Sequence, residues 1–279
     1  MDRFISIATN ASLTDGPTLL KIVPHWLRVF GNRVREVVIV VDDQPVTGRI
    51  ADLHGEQASI GQVLTAIRKL EQSDSRVRSA VLGSLNVAKT QRRWFGKARP
   101  VRCQAGTPIL AFAAAVDEAH EDLVLRCDSD MLFCERGWLS EAMDGIASGA
   151  HVYEPPRFHS ESGEAVSSRA FIVSQQSLGT RLPFLNLRLD LARRIHRRIR
   201  GRPTWLAFEQ MMELSARKGE IRHRIGARSD SGFSLHALRR SYIAESWFIK
   251  VIDAVESNQV PKAQELSWDL HPKAWGFPH

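Results

Sequence analysis

Residues 106–133 read GTPILAFAAAVDEAHEDLVLRCDSDMLF, and the fold class follows from how this stretch is parsed. Ile109 to His120 is rich in alanine and carries apolar residues at helical spacing. The helix is entered through Gly106-Thr107-Pro108, with Thr107 as its cap and Pro108 in the first turn. LVLRC (123–127) is a short apolar run of the kind expected for a strand buried on both faces. It runs directly into Asp128-Ser129-Asp130. If that segment is extended, residues i and i+2 point to one side, so both carboxylates can face a single cation. Hard oxygen ligands of this kind suit Mg²⁺ or Mn²⁺, and those ions in turn hold a diphosphate. A bare D-x-D is common by chance, and two surface acids closing a strand would look the same. Its weight comes from position, directly after a buried strand.

Working outward, EVVIVVDD (36–43) is a second continuous β-branched run closed by two acids, and FISIA (4–8) is a third strand candidate leading into Thr9-Asn10. Thr18 to Phe30 has helical spacing interrupted by Pro24, and Gln57 to Leu70 reads as a helix. Strands alternating with helices imply βαβ units and a mostly parallel sheet. In such sheets ligands bind beyond the carboxyl ends of the strands. Thr9, Asp42, Asp43, Asp128 and Asp130 are all expected at those ends.

The pattern changes near Gly149. Residues 153–163 are rich in Pro, His and Ser and read as a loop, and SSRAFIVS (167–174) as a strand pairing along the sheet edge. The arginine-rich stretch from Arg188 to Arg202 and Leu206 to Lys218 are helical in character, and SWDLHPKAWGFPH (267–279) reads as an irregular packed tail. We expect one compact unit of two halves, residues 1–148 and residues 149–279.

With 43% hydrophobic and 25% charged residues, the chain is globular in composition rather than disordered. Its longest apolar runs are too short to span a bilayer, and its start has no signal-like apolar region. Cys103, Cys127 and Cys134 form no C-x-x-C pair and read as free thiols, so a cytoplasmic location is expected. The net charge of +7 favours anionic partners. No finger, helix-turn-helix or RNP signature accompanies it, so nucleic acid is not expected. The arginine-rich stretch has two readings. It is either a basic amphipathic helix lying on an anionic membrane, at the inner surface, or a solvated surface helix.

Residues 106–133, RFISIATN (3–10) and EVVIVVDD together resemble the nucleotide-sugar half of GT-A fold glycosyltransferases of the family-2-like kind. The resemblance covers the first half well and the second half loosely, and it implies that residues 1–148 bind the nucleotide sugar and residues 149–279 form the acceptor side. It implies a Rossmann-like α/β fold, a UDP- or GDP-sugar donor, Mn²⁺ or Mg²⁺, and a saccharide or lipid-linked acceptor. It implies that Thr9 and Asp42 or Asp43 contact the base and ribose. Asp128, with Ser129 beside it, would sit at the ribose and the metal shell, and Asp130 would bind the metal. There are departures. Gln44-Pro45 stands where the family usually has Gly-Ser, and Arg99 and Gln104 are the nearest polar candidates for donor contacts before the D-x-D.

In SDSGFSLHALRR (229–240), His236 matches a late histidine that completes the metal's coordination in some relatives, with His271 a weaker second candidate. A structural histidine is the plain alternative. In TWLAFEQMMEL (204–214), Glu209 follows Trp205 near a helix start, where the resemblance places the catalytic base of an inverting transfer. A first-turn acid stabilising the helix dipole is the other reading. His159 lies in the Pro-rich loop with no spacing to distinguish it.

Three rival classes start from the same acids. CDSDML (127–132) resembles the D-x-D of haloacid-dehalogenase-like phosphatases, which also need a later lysine and acidic pair, for which the single Asp230 is the only late candidate, and the motif falls mid-chain rather than near the start. A sugar nucleotidyltransferase needs a Gly-rich phosphate loop that ATNASLTDG (8–16) does not supply. A receiver domain needs an acceptor aspartate that VLGSLNVAKT (81–90) lacks.

Overall fold

The computed structural model describes residues 3–43, 59–95, 109–158, 169–180, 199, 216–217, 219, 221–226, 232–237, 243, 246–261, 264 and 269–276. The apolar runs become strands: β1 (Ile5–Ala11), β2 (Val34–Val41), β3 (Val77–Val81) and β4 (Leu123–Cys127). Helices α1 (Gly16–Phe30), α2 (Ile60–Ser73), α3 (Val87–Phe95) and α4 (Ile109–Asp117) connect them. Next come β5 (Met131–Glu135), α5 (Trp138–Ala147), β6 (Val152–Glu154), β7 (Ala170–Ser174), α6 (Gln175–Thr180), β8 (His223–Ile225), β9 (Gly232–His236) and α7 (Phe248–Glu256).

The central sheet has seven strands in the order β3-β2-β1-β4-β7-β6-β8. The first four are mutually parallel, β7 is antiparallel to both neighbours, and β8 is parallel to β6. The expected α/β class, a mostly parallel sheet flanked by helices, is what the structure has. From β1 the chain winds outward through β2 and β3, then returns to place β4 on β1's other side. In open sheets that reverse in this way, the ligand crevice lies beyond the carboxyl ends of the strands at the reversal, here β1 and β4.

Strand alternation sends Ile5, Ile7, Ile39, Leu123 and Leu125 to one face, against α1, α2 and α5. Ala8, Val38, Val40 and Val124 go to the other, against α3 and α4. The alanines of α4 let that helix lie close on the sheet, and Ala111, Ala113, Ala114 and Ala115 are all buried there. Pro24 sits inside α1 without ending it. An interior proline costs about 3 kcal/mol. Burial of Leu19, Ile22, Val23 and Trp26 on the same helix offsets it, at roughly 1.5–3 kcal/mol for each large side chain.

Two expectations change. SSRAFIVS does not pair along the edge: β7 lies between β4 and β6 with every residue buried. Its unbroken apolar run AFIV suits an interior strand with two covered faces. The loop expected over 153–163 begins as strand, since β6 runs to Glu154. Among the described residues no helix is long and apolar enough to cross a membrane.

Candidate active site

Asp128-Ser129-Asp130 forms a turn between β4 and β5 rather than an extended segment. The Asp128 amide donates to the Arg169 carbonyl at 2.7 Å and the Met131 amide to the Asp128 carbonyl at 3.3 Å, which bends the chain. The two carboxylates therefore take different partners.

Asp128 turns toward Arg126. The Arg126 side chain is buried in β4, its Nη2 lying 2.7 Å from Asp128 Oδ1 and 2.9 Å from Asn10 Oδ1. Its guanidinium carbon stacks 3.9 Å from the centroid of Phe112 on α4. Asp128 keeps 35% of its side chain exposed. Burial of the remainder raises its carboxyl above the usual range, and Arg126 only partly offsets that.

Asp130 turns toward β9. That strand pairs antiparallel with β5 so that Met131 lies opposite His236. The register brings Asp130 Oδ2 to 3.1 Å from His236 Nε2, and the Ala237 amide closes on the Asp130 carbonyl at 3.0 Å. Behind the ring, His236 Nδ1 meets Asp269 Oδ1 at 2.8 Å, and Arg169 Nη1 binds the same oxygen at 2.5 Å. Burial favours an ionised Asp130 least, yet the hydrogen bond and charge of His236, with the charge of Arg169, hold its carboxyl below the usual range. Burial opposes a charged His236 as well. The bonds to Asp130 and Asp269 outweigh it and push the ring up to about 9. From beneath, α1 fixes β5: Trp26 Nε1 donates to the Met131 carbonyl at 2.8 Å, and the Phe133 amide donates to His25 Nε2 at 2.9 Å.

Asp42 and Asp43 follow β2 and stand at its carboxyl end as expected. Asp42 is buried, its amide bonded to the Ala11 carbonyl at 2.8 Å. Asp43 Oδ1 accepts from the Gly83 amide at 3.2 Å, and a Cβ on Gly83 would lie 2.5 Å from Asp43 Oδ2, so a side chain there would displace this carboxylate. Thr9 is not at a strand end. It lies inside β1 opposite Ile39, fully buried, because β1 continues through Asn10 and Ala11. Ser129 is half-buried in the turn, and His271 is exposed in the tail. Cys127 and Cys134 are free and buried, and burial pushes both thiols up. Arg99, Gln104, Cys103, His159, Glu209 and Asp230 lie outside the described residues, as does the stretch 188–202 apart from Ile199.

Four participants were not singled out from sequence: Asn10, Arg126, Arg169 and Asp269. Arg126 carried a readable signal, since a lone charge inside a doubly buried strand needs partners. The others are distant in sequence and had none.

Among the described residues no group of three or more His, Cys, Asp or Glu side chains is arranged to hold a metal ion. The donor chemistry nevertheless suits one. Asp130 oxygen and His236 Nε2 face each other, with a carboxylate behind the imidazole as metal-binding histidines commonly have. Asp128, partly exposed two residues away, offers a third donor and a second carboxylate, which Arg126 now engages.

The fold and its strand-end acids define a Rossmann-like α/β protein with a polar site at the sheet's switch point. Solved structures similar to this chain include nucleotide-sugar glycosyltransferases. One is the galactosyltransferase LgtC with donor and acceptor sugar analogs, at 9% identity and TM-score 0.49, covering 93% of this chain and 98% of that one. Another is the mannosyltransferase PcManGT from Pyrobaculum calidifontis with GDP-Man and Mn²⁺, at 12% identity and TM-score 0.49, covering 99% of this chain and 67% of that one. A third is the 4-diphosphocytidyl-2C-methyl-D-erythritol synthase of Anaerococcus prevotii, at 8% identity and TM-score 0.42, covering 92% of this chain and 99% of that one. Likeness at this level says nothing of substrate. No protein-family model and no curated protein matches the chain.

Proposed function

We propose that the chain is a metal-dependent glycosyltransferase that moves a sugar from a UDP or GDP donor to a hydroxyl acceptor of a saccharide or lipid-linked kind. The observation that carries this reading is the Asp130–His236 pair, 3.1 Å apart at the carboxyl end of the switch-point strand, with Asp128 beside it. A sheet of this winding receives a nucleotide in that crevice. A pair of carboxylates with an imidazole is a donor set for Mn²⁺ or Mg²⁺. When bound, such an ion would neutralise the leaving diphosphate.

The chain's own residues have separate parts. Asp130 and His236 would hold the cation. Asp128, oriented by Arg126, would face the ribose and the outer side of the metal shell. Asp42 and Asp43 would meet the base and ribose. Glu209 is our candidate base, accepting the proton of the acceptor hydroxyl as it attacks the anomeric carbon, which would invert that centre. The free cysteines favour a reducing, cytoplasmic setting. Stretch 188–202 is the candidate for any contact with a lipid-linked acceptor at a membrane surface.

The test is thermal stability against UDP, GDP and other nucleoside diphosphates, each with and without Mn²⁺. A ligand that binds only the folded state raises the melting temperature with occupancy. A shift with one nucleotide that needs Mn²⁺ and disappears in Asp130→Asn is the expected result. Mn²⁺-independent shifts, or none, would reject the metal-dependent reading. Glu209→Gln should keep the shift and lose transfer, and full transfer would remove Glu209 as the base.

A further inference from the structure

The four groups Asp130, His236, Asp269 and Arg169 form a line, and its inner end presents a conflict that chemistry resolves in one way. His236 Nδ1 lies 2.8 Å from Asp269 Oδ1 and 2.9 Å from Arg169 Nη1. Arg169 can only donate. If Arg169 donated to Nδ1, the ring of a neutral His236 would carry its proton on Nε2, the nitrogen that faces Asp130. Asp269 prevents this. Its Oδ1 accepts from Arg169 at 2.5 Å and from Nδ1–H, so the neutral ring keeps Nε2 bare. Which imidazole nitrogen can bind a metal is set by the hydrogen bond the other one makes.

The carboxylate is held in place with unusual care for a tail residue. Asp269 forms a parallel bridge with His236, and the Leu270 amide donates to the His236 carbonyl at 2.7 Å. Gln264 is fully buried, and its Nε2 donates to the Asp269 carbonyl at 2.8 Å. Its Oε1 accepts from the His271 amide and from Trp275 Nε1, each at 2.9 Å. One amide side chain thus ties the segments before and after Asp269 together.

We propose that Asp269 is a positioning residue that sets the tautomer and orientation of His236 for cation binding, and that it does so by accepting both the Nδ1 proton and the Arg169 N–H that lies beside it. This rests on reading Asp130 and His236 as metal ligands. Asp269 touches neither cation nor substrate and acts only through the imidazole.

The experiment uses the whole chain with Mn²⁺ and UDP or GDP, whichever gives the larger thermal shift. Free Mn²⁺ is followed by electron paramagnetic resonance, and histidine coordination by the ¹⁴N coupling in pulsed spectra. The wild-type chain should show imidazole coupling, and His236→Ala should lose it. Asp269→Ala should lose the coupling and bind Mn²⁺ on the order of 10–100-fold more weakly, the usual cost of losing such a partner. Asp269→Ala with Arg169→Met should recover part of both, because the competing donor is gone. A merely structural Asp269 would not be rescued by removing a second tail contact. Should Asp269→Ala fail to melt cooperatively, Asp269→Asn, of equal size, carries the test with an expected loss of about threefold or more. Unchanged coupling and affinity in the Asp269 variants, with coupling present in wild type and lost in His236→Ala, would overturn the positioning role alone. No imidazole coupling in the wild-type chain would overturn the ligand reading and this proposal with it.

Discussion

Arg126→Met tests whether the buried guanidinium organises the site. Arg126 is 4% exposed and makes three contacts that methionine cannot: Nη2 to Asn10 at 2.9 Å, Nη2 to Asp128 at 2.7 Å, and the stack on Phe112 at 3.9 Å. A hydrogen bond to a charged group contributes about 1.5–3 kcal/mol, so the bond to Asn10 is taken at about 1.5. The Asp128 carboxylate is 35% exposed, so its share falls toward the surface range, about 1 kcal/mol. A desolvated cation–π contact adds about 1–2 kcal/mol. Against these stands the desolvation of the guanidinium, which an apolar replacement removes and which offsets roughly half of the total. The variant should be destabilised by about 2 kcal/mol in urea. The effect on function should exceed that of a general loosening. Arg126 is the largest influence holding the Asp128 carboxyl down against burial. Without it Asp128 takes a proton more readily and is no longer aimed, so Mn²⁺-dependent nucleotide binding should weaken by about tenfold, or about 1.4 kcal/mol. The two readings come from one sample set: denaturation midpoints, and thermal shift titrated with nucleotide at fixed Mn²⁺. Equal stability together with undiminished nucleotide affinity would refute the assignment of Arg126 to the site.

The remaining predictions concern the frame around it. Without metal, His236 with its ring at about 9 contributes stability that is complete below 6.5 and is lost as the pH rises through 9. At about 1.4 kcal/mol per pH unit it is worth at most about 3 kcal/mol, and the stability gap between wild type and His236→Gln should shrink between pH 6.5 and 9.5. A gap that stays constant across that range would refute it. Gly232 opens β9 at φ +108°, and a Cβ there would lie 2.0 Å from the Cys134 carbonyl oxygen. Gly232→Ala should therefore cost about 3 kcal/mol or more, read from the denaturation midpoint, and a cost below about 1 would argue against the β5–β9 pairing. His25 is buried, accepting from the Phe133 amide and bonded through Nδ1 to Glu256 at 2.7 Å. His25→Leu leaves the Phe133 amide unpaired, while Glu256 keeps Arg28 at 2.8 Å, and it should cost about 1–3 kcal/mol; a neutral outcome would mean water replaces the ring.

The limits of sequence reading here follow from where each kind of information is stored. The runs EVVIV and LVLRC are apolar at every neighbouring position but one, which only a strand covered on both faces requires, so β2, β4 and their polar ends were legible. The same rule applied to AFIV puts β7 inside the sheet, where it lies between β4 and β6, rather than at the edge. The backbone path between the two carboxylates is a different matter. The i, i+2 spacing places both on one side only if the backbone is extended through Asp130, whereas the chain turns at Ser129 and β5 leaves the sheet to pair with β9. Nothing local records that departure, since Leu132 and Leu235 meet only through the tertiary fold. Polar partners show the same limit more sharply. Asn10 and Arg126 are separated by 116 positions, and His236 and Asp269 by 33, with no periodicity linking either pair. A buried charge announces that a partner exists without naming it. That asymmetry makes Arg126 the better guide to this site than the D-x-D itself: two aspartates after a strand are common, whereas an arginine sealed into that strand is tolerated only where the fold has built acceptors around it.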